Sequence, residues 1–162
     1  MKSLVAVTGM LALVAALAGC GSRNDSASTG AAAPAASSGT ALAATSPLDS
    51  GPRAAEQPID EARAEAGEKL FQSKGCSACH TFGKRMTGPD LDGVTMRRTA
   101  AWMENQILHP DVMVKQDPIS HQLFAQFALQ MPNQGLTADE ARTVIEFLKH
   151  KNHESLEKQK GE

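Results

Sequence analysis

Tyrosine is absent from the 162 residues, and aromatic side chains make up only 4% of them. A core so poor in large rings needs a metal, a cofactor or a crosslink to complete it. Cysteine is scarce as well. Three residues, an odd number, exclude a fold stapled purely by disulfides. Excess charge is lacking: 16 Lys and Arg against 18 Asp and Glu leave a net charge of −2. That balance excludes nucleic-acid binding by bulk positive charge. The main apolar run, Leu4 to Leu17 broken by Thr8 and Gly9, is short for a comfortable membrane span. The length suits one domain with appendages rather than two domains.

The ends are read first as segments outside the fold. Lys2, the apolar run and the small residues after it form a secretory signal. Its end, Leu17-Ala18-Gly19-Cys20, resembles the bacterial lipoprotein box, in which the cysteine becomes the lipidated first residue of the mature chain. The alternative is an ordinary signal cut near Ala18 with Cys20 left as a stray thiol. Gly21 and Ser22 carry no aspartate retention signal, which in an ordinary Gram-negative cell points, under lipoprotein sorting rules, to the outer membrane. From Gly21 to Ala55, 28 of 35 residues are Ala, Ser, Gly, Thr or Pro. Such a stretch has little to bury and is expected to be a disordered tether, with an end-to-end distance of roughly 30–35 Å. The expected organisation is 1–19 signal peptide, 20–56 lipidated cysteine and linker, 57–153 folded domain and 154–162 frayed polar tail.

Within the domain the pattern is all-α. Asp60 caps a helix over Glu61–Ser73, with Ala62, Ala66, Leu70 and Phe71 on its apolar face. Thr99 caps Ala100–Leu108, which Pro110 stops. A third segment covers Ile119–Ala128, with Leu123, Phe124 and Phe127. The fourth follows Thr137 and Glu140, a capping box, and carries Ala141, Val144, Ile145 and Leu148 as its stripe. The stretch holding Gly83, Gly88, Pro89 and Gly93 reads as loop. Four helices with long loops in so small a domain imply a large apolar body at the centre.

Cys76-Ser77-Ala78-Cys79-His80 is the c-type haem attachment signature. Two thiols three positions apart can add to the two vinyl groups of one porphyrin edge, and the adjacent imidazole is then held under the iron. Other uses of the pair fit poorly. No βαβ pattern supports a thioredoxin-like motif. No second ligand pair supports zinc. A disulfide across so short a loop would stabilise little.

From about Ala66 to His150 the chain resembles a class I monohaem cytochrome c. The resemblance rests on Gly67-Leu70-Phe71 in the first helix, Gly88-Pro89-Asp90-Leu91-Asp92-Gly93 behind His80, and Met131-Pro132 before Gly135-Leu136-Thr137. It implies the small cytochrome c fold around one covalent haem c. It also implies close crossing of the terminal helices at Gly67, a Pro89 carbonyl that accepts from the proximal His80, and Met131 as the distal iron ligand. The segment Arg97-Arg98 through Trp102 to His109-Pro110 resembles small cytochromes associated with nitrous oxide reductase systems.

Spacing bears on the distal ligand independently. Met86 follows His80 too closely to reach the other face of a haem. Met113, 33 residues beyond His80, remains a rival on what reads as a flexible loop; Met131, 51 beyond, is stiffened by Pro132. A thioether favours ferrous iron and fills the site, which suits outer-sphere electron transfer. Trp102, Arg97 and Arg98 are candidates for haem propionate contacts, with core filling equally open for Trp102 and solvation for one of the arginines. Lys74, Lys84 and Arg85 form either a positive rim or merely a solvated surface; His109, His121, His150 and His153 read as surface residues.

The expected protein is a lipid-anchored, exported one-electron carrier on the periplasmic side of a bacterial membrane, not an enzyme. It would pass electrons from respiratory-chain donors to an exported oxidoreductase, with redox-protein partners, no nucleic acid and no small-molecule substrate. A peroxidase or gas sensor with an open distal site, and a fixed subunit of a larger complex, are the rival readings.

Overall fold

The computed structural model describes residues 44–161. The expected signal segment, Cys20 and most of the expected linker lie outside them. Six α-helices, and no strand, occur among the described residues: α1 Glu61–Ser73, α2 Val94–Arg97, α3 Ala100–Leu108, α4 Pro110–Gln116, α5 Pro118–Phe127 and α6 Ala138–Lys160. None is long and apolar enough to cross a membrane.

Capping chemistry sets the helix starts. The side chains of Asp60, Thr99, Asp117 and Thr137 accept N–H bonds in the first turns of α1, α3, α5 and α6. Thr137 and Glu140 close the capping box as expected. Pro110 and Pro118 each take the first helical position of a new helix, so they start α4 and α5 as well as interrupting what precedes them.

α1 crosses α6, and the crossing is made by Ala64, Gly67 and Phe71. The face expected from Ala62 and Ala66 is therefore displaced: both are exposed, and only Leu70 and Phe71 of that set turn inward. Gly67 is what allows the approach. A Cβ there would lie 2.2 Å from the Thr143 carbonyl oxygen and 2.8 Å from Phe147 Cβ. On α6 the stripe of Ala141, Val144, Ile145 and Leu148 is buried as expected, joined by Phe147. Phe71, Phe82 and Phe147 stack at centroid distances of 5.4–5.9 Å, so three of the five phenylalanines close the core behind this crossing.

Two boundaries differ from expectation. Local structure is present before residue 57: 3-10 turns at Pro47–Asp49 and Ala54–Glu56 dock on the α2–α3 junction. Asp49 accepts the Thr99 N–H at 2.8 Å and pairs with Arg53 and Arg98 at 3.0 and 3.3 Å. Ala54 is fully buried. Its Ala-rich neighbourhood hid this, because the docking rests on hydrogen bonds through Asp49, Arg53, Leu48 and Ala54 rather than on an apolar pattern. The polar tail, too, is helical: α6 continues to Lys160. Lys151–Glu154 and Lys160–Glu157 pairs line its last turns, and Ser155 donates to Asp92 at 3.2 Å.

Candidate haem site

A cavity of about 210 Å³, with predominantly apolar walls, lies within the helical shell. Cys76, Cys79, His80, Pro89, Arg97, Arg98, Trp102 and Met131 all line it. Every site residue expected within the described region therefore lines one cavity, although these residues span 56 positions of the chain.

The attachment motif sits just after α1. Cys76–Ala78 forms a 3-10 turn, and His80 N–H donates to the Cys76 carbonyl at 3.0 Å. Both thiols are free. Burial pushes the Cys76 thiol up from its ordinary value; a backbone hydrogen bond opposes this and the neighbouring Cys79 adds to it. A raised thiol is the opposite of the low-pKa thiolate that redox-active pairs use.

Behind His80 the loop from residue 81 to 93 is tied by Asp90, whose carboxylate accepts the N–H groups of Gly83 and Asp92, both at 2.8 Å. This brings the Pro89 carbonyl 2.9 Å from His80 Nδ1. A carbonyl only accepts, so Nδ1 carries the proton and Nε2 keeps its lone pair for a metal. Gly88 packs on the imidazole itself: a Cβ there would lie 2.6 Å from His80 Cε1. The ring is held in plane and tautomer by backbone alone.

Met131 arrives from a separate segment. α5 ends at Ala128, which takes a left-handed conformation with φ 52°. Asn133 then ties the following loop to the end of α3 by donating to the Leu108 carbonyl at 2.8 Å. Met131 is half-buried on the cavity wall. The rival Met113 is not on a flexible loop: it sits in α4, 3% exposed, in the core and not among the cavity's lining residues. Met103 is core and also reaches the cavity, while Met86 and Met96 are exposed.

Of the two readings left open for Trp102, the structure supports core filling. Its indole N–H already donates to Asp117 Oδ1 at 3.1 Å, within a buried contact. Trp102 is thus a core residue that also lines the cavity. Arg97 donates to the Asp92 carbonyl at 2.7 Å, and Arg98 pairs with Asp49 and lies over the Trp102 ring at 5.1 Å. Both arginines keep part of their surface on the cavity. The supposed positive rim is largely engaged: Lys74 pairs with Glu140 at 3.2 Å, and Arg85 stacks 4.1 Å from the Phe127 ring centroid. His150 pairs with Glu61 and Glu154 at the surface.

Sequence reading missed Asp117 and its partners. Asp117 is 4% exposed, caps α5 through Ser120 N–H at 2.9 Å, and holds the indole. Burial pushes its carboxyl up, but the nearby Ser46 hydroxyl and the N–H donors of Ser120 and Trp102 outweigh it and hold the group below the usual carboxylate range. Oδ2 has no hydrogen-bond partner among the described residues. Asp117-Pro118 is an N-cap followed by an N1 proline, the signal that could have revealed it.

A helical shell around one apolar cavity, with a Cys-x-x-Cys-His motif and a backbone-locked imidazole on its wall, defines a small carrier of covalent haem. The comparisons agree. The family model for cytochrome c matches residues 64–152. A cytochrome c-551 from Ectopseudomonas mendocina is 28% identical over 83 residues, covering 51% of this chain and 94% of its own length. The structure of a cytochrome c from Rhodothermus marinus, 33% identical, superposes with a TM-score of 0.58 over 63% of this chain and 96% of that one. This chain belongs to the cytochrome c family: it is an electron carrier built on one covalent haem c.

Proposed function

We propose that the protein is a lipid-anchored monohaem cytochrome c with His80 and Met131 as axial ligands, carrying single electrons to an exported oxidoreductase. The observation that carries the ligand assignment is the convergence of Cys76, Cys79, His80 and Met131 on one apolar cavity, with His80 Nδ1 committed to Pro89. The bound haem supplies the one-electron couple of its iron. Cys76 and Cys79 would hold it by thioether bonds, each S–H adding across a vinyl double bond. His80 would offer Nε2, its ring oriented by the Nδ1–H bond to the Pro89 carbonyl. Met131 would offer a soft sulfur that favours the ferrous state and would close the distal side to other ligands. Phe124, Phe127 and Leu123 line the cavity from α5 and would shield one side of a bound macrocycle.

The anchor is assigned to Cys20, whose surroundings resemble a lipoprotein box. The two or three chains of a lipoprotein hold firmly, at ~0.8 kcal/mol per buried CH₂. The placement is the periplasmic face of a bacterial membrane, the outer one under the sorting rule. The resemblance of Arg97 through Pro110 makes an exported reductase of the nitrous oxide type a reasonable acceptor to test first.

Spectroelectrochemical titration of the purified protein tests the carrier role. A reversible single-electron transition with no turnover of peroxide supports it. Peroxide turnover, or tight binding of cyanide or carbon monoxide without displacement of a protein ligand, would support the enzyme or sensor reading instead.

A further inference from the structure

We infer that Gln106 is a positioning residue for the Met131 sulfur, and that Ser120 sets which way its amide faces; this rests on Met131 being an axial ligand. Gln106 lies one turn beyond Trp102 on α3, half-buried on the cavity wall. Ser120 lies one turn into α5 and is 4% exposed. Two side-chain bonds therefore cross from α3 to α5. Trp102 donates to Asp117 at 3.1 Å, and Ser120 meets Gln106 Oε1 beside it.

The chemistry of the second bond fixes the amide. A carboxamide oxygen only accepts, so the Ser120 hydroxyl must donate to it. With Oε1 held there, the NH₂ group is turned the other way, and Nε2 lies 4.0 Å from Met131 Sδ. That sulfur is the one protein acceptor Nε2 has among the described residues. Ser120 cannot drift, because its own N–H donates to Asp117 Oδ1 at 2.9 Å, the oxygen that also holds Trp102. The order of support is Trp102, Asp117, Ser120, Gln106, Met131.

An N–H aimed at a thioether engages one sulfur lone pair. It restricts rotation of the methionine and draws electron density from the sulfur. Ferric iron depends more on donation from its ligands than ferrous iron does, so the bond disfavours the ferric form. Its removal should stabilise the ferric form and lower the reduction potential.

The experiment uses the full haem-loaded protein as wild type, Gln106→Leu and Ser120→Ala. Reduction potential, the near-infrared sulfur-to-iron band and thermal unfolding are measured on each. The expected result is a lower potential in Gln106→Leu, equivalent to about a two- to fivefold shift in the ferric/ferrous equilibrium, the scale of one weak hydrogen bond. Ser120→Ala should shift the same way by less, since the amide can then turn over. If Gln106→Leu does not fold, the sign of the shift in Ser120→Ala decides. A sulfur band in the wild type together with potentials that do not move, or that rise, overturns the role of Gln106 alone. A wild type without the band overturns the Met131 reading and this inference with it. A fall in melting temperature without a change in potential marks Gln106 as packing only and overturns the inference.

Discussion

Replacing Gly67 by alanine should destabilise the protein, although alanine is the better helix former. A methyl group at 67 would sit 2.2 Å from the Thr143 carbonyl oxygen, whereas ordinary contact begins at 3.4 Å. The obstructing atoms are a helix carbonyl and the Cβ of Phe147, neither of which can swing aside. α1 and α6 must therefore part by about 1 Å along their crossing. A gap of that size forfeits roughly a quarter to a half of the dispersion energy across the interface. Overpacking of this kind costs about 1–3 kcal/mol, and the rigidity of the obstruction places this site toward the upper end. Against it stands a helix-propensity gain of about 0.8–1 kcal/mol. The net loss is about 2 kcal/mol. Urea unfolding of the haem-loaded variant, followed by far-UV circular dichroism, should show a midpoint lower by roughly 1 M at an m-value of about 2 kcal/mol/M. Ala66→Gly, at an exposed position on the same helix, should cost only the propensity term. An unchanged or raised midpoint in Gly67→Ala would refute the close-crossing argument.

Asp117 carries a pH dependence of definite sign. Its carboxyl is held below the ordinary range, so its contribution is complete above the unfolded value of about 3.9 and is lost as the pH falls through the lower folded value; Asp117→Asn should flatten that acid-side loss in a pH-dependent unfolding series. Acid-acetone extraction should leave the colour on the polypeptide, and Cys76→Ser with Cys79→Ser should release it to the solvent. Cys20→Ser should leave either an unprocessed precursor or a soluble species, whereas a chain starting at Gly21 behind a foreign signal should be soluble with an unchanged haem spectrum. Sedimentation of that truncated protein with membranes would refute the anchor.

Helices whose starts are written in side-chain oxygens were legible in the sequence. Asp60, Thr99 and Thr137 announced α1, α3 and α6, and the bounds of α1 and α3 match those expected. The short helices α2 and α4 were not. Val94–Arg97 holds too few residues to show a period, and Pro110 reads as a stop as readily as a start. The apolar face of α1 was misjudged because its closest contact is made by a glycine, which hydrophobic periodicity does not count. The attachment motif was legible because its chemistry is local. The support of Met131 was not, since Gln106 and Ser120 are polar residues 14 positions apart on different helices, and nothing in their local sequence marks a shared bond. Asp49 escaped notice for the same reason: its partners Arg98 and Thr99 lie about 50 positions away.

The near-infrared spectrum of the ferric protein, compared between Met131→Ala and Met113→Ala, tests the ligand assignment most directly. Met131 lines the cavity, while Met113 is packed in α4 and the core. The sulfur-to-iron band should therefore be present in the wild type, vanish in Met131→Ala and persist in Met113→Ala. Persistence of the band in Met131→Ala, or its loss in Met113→Ala from a protein that is still folded, would contradict the account.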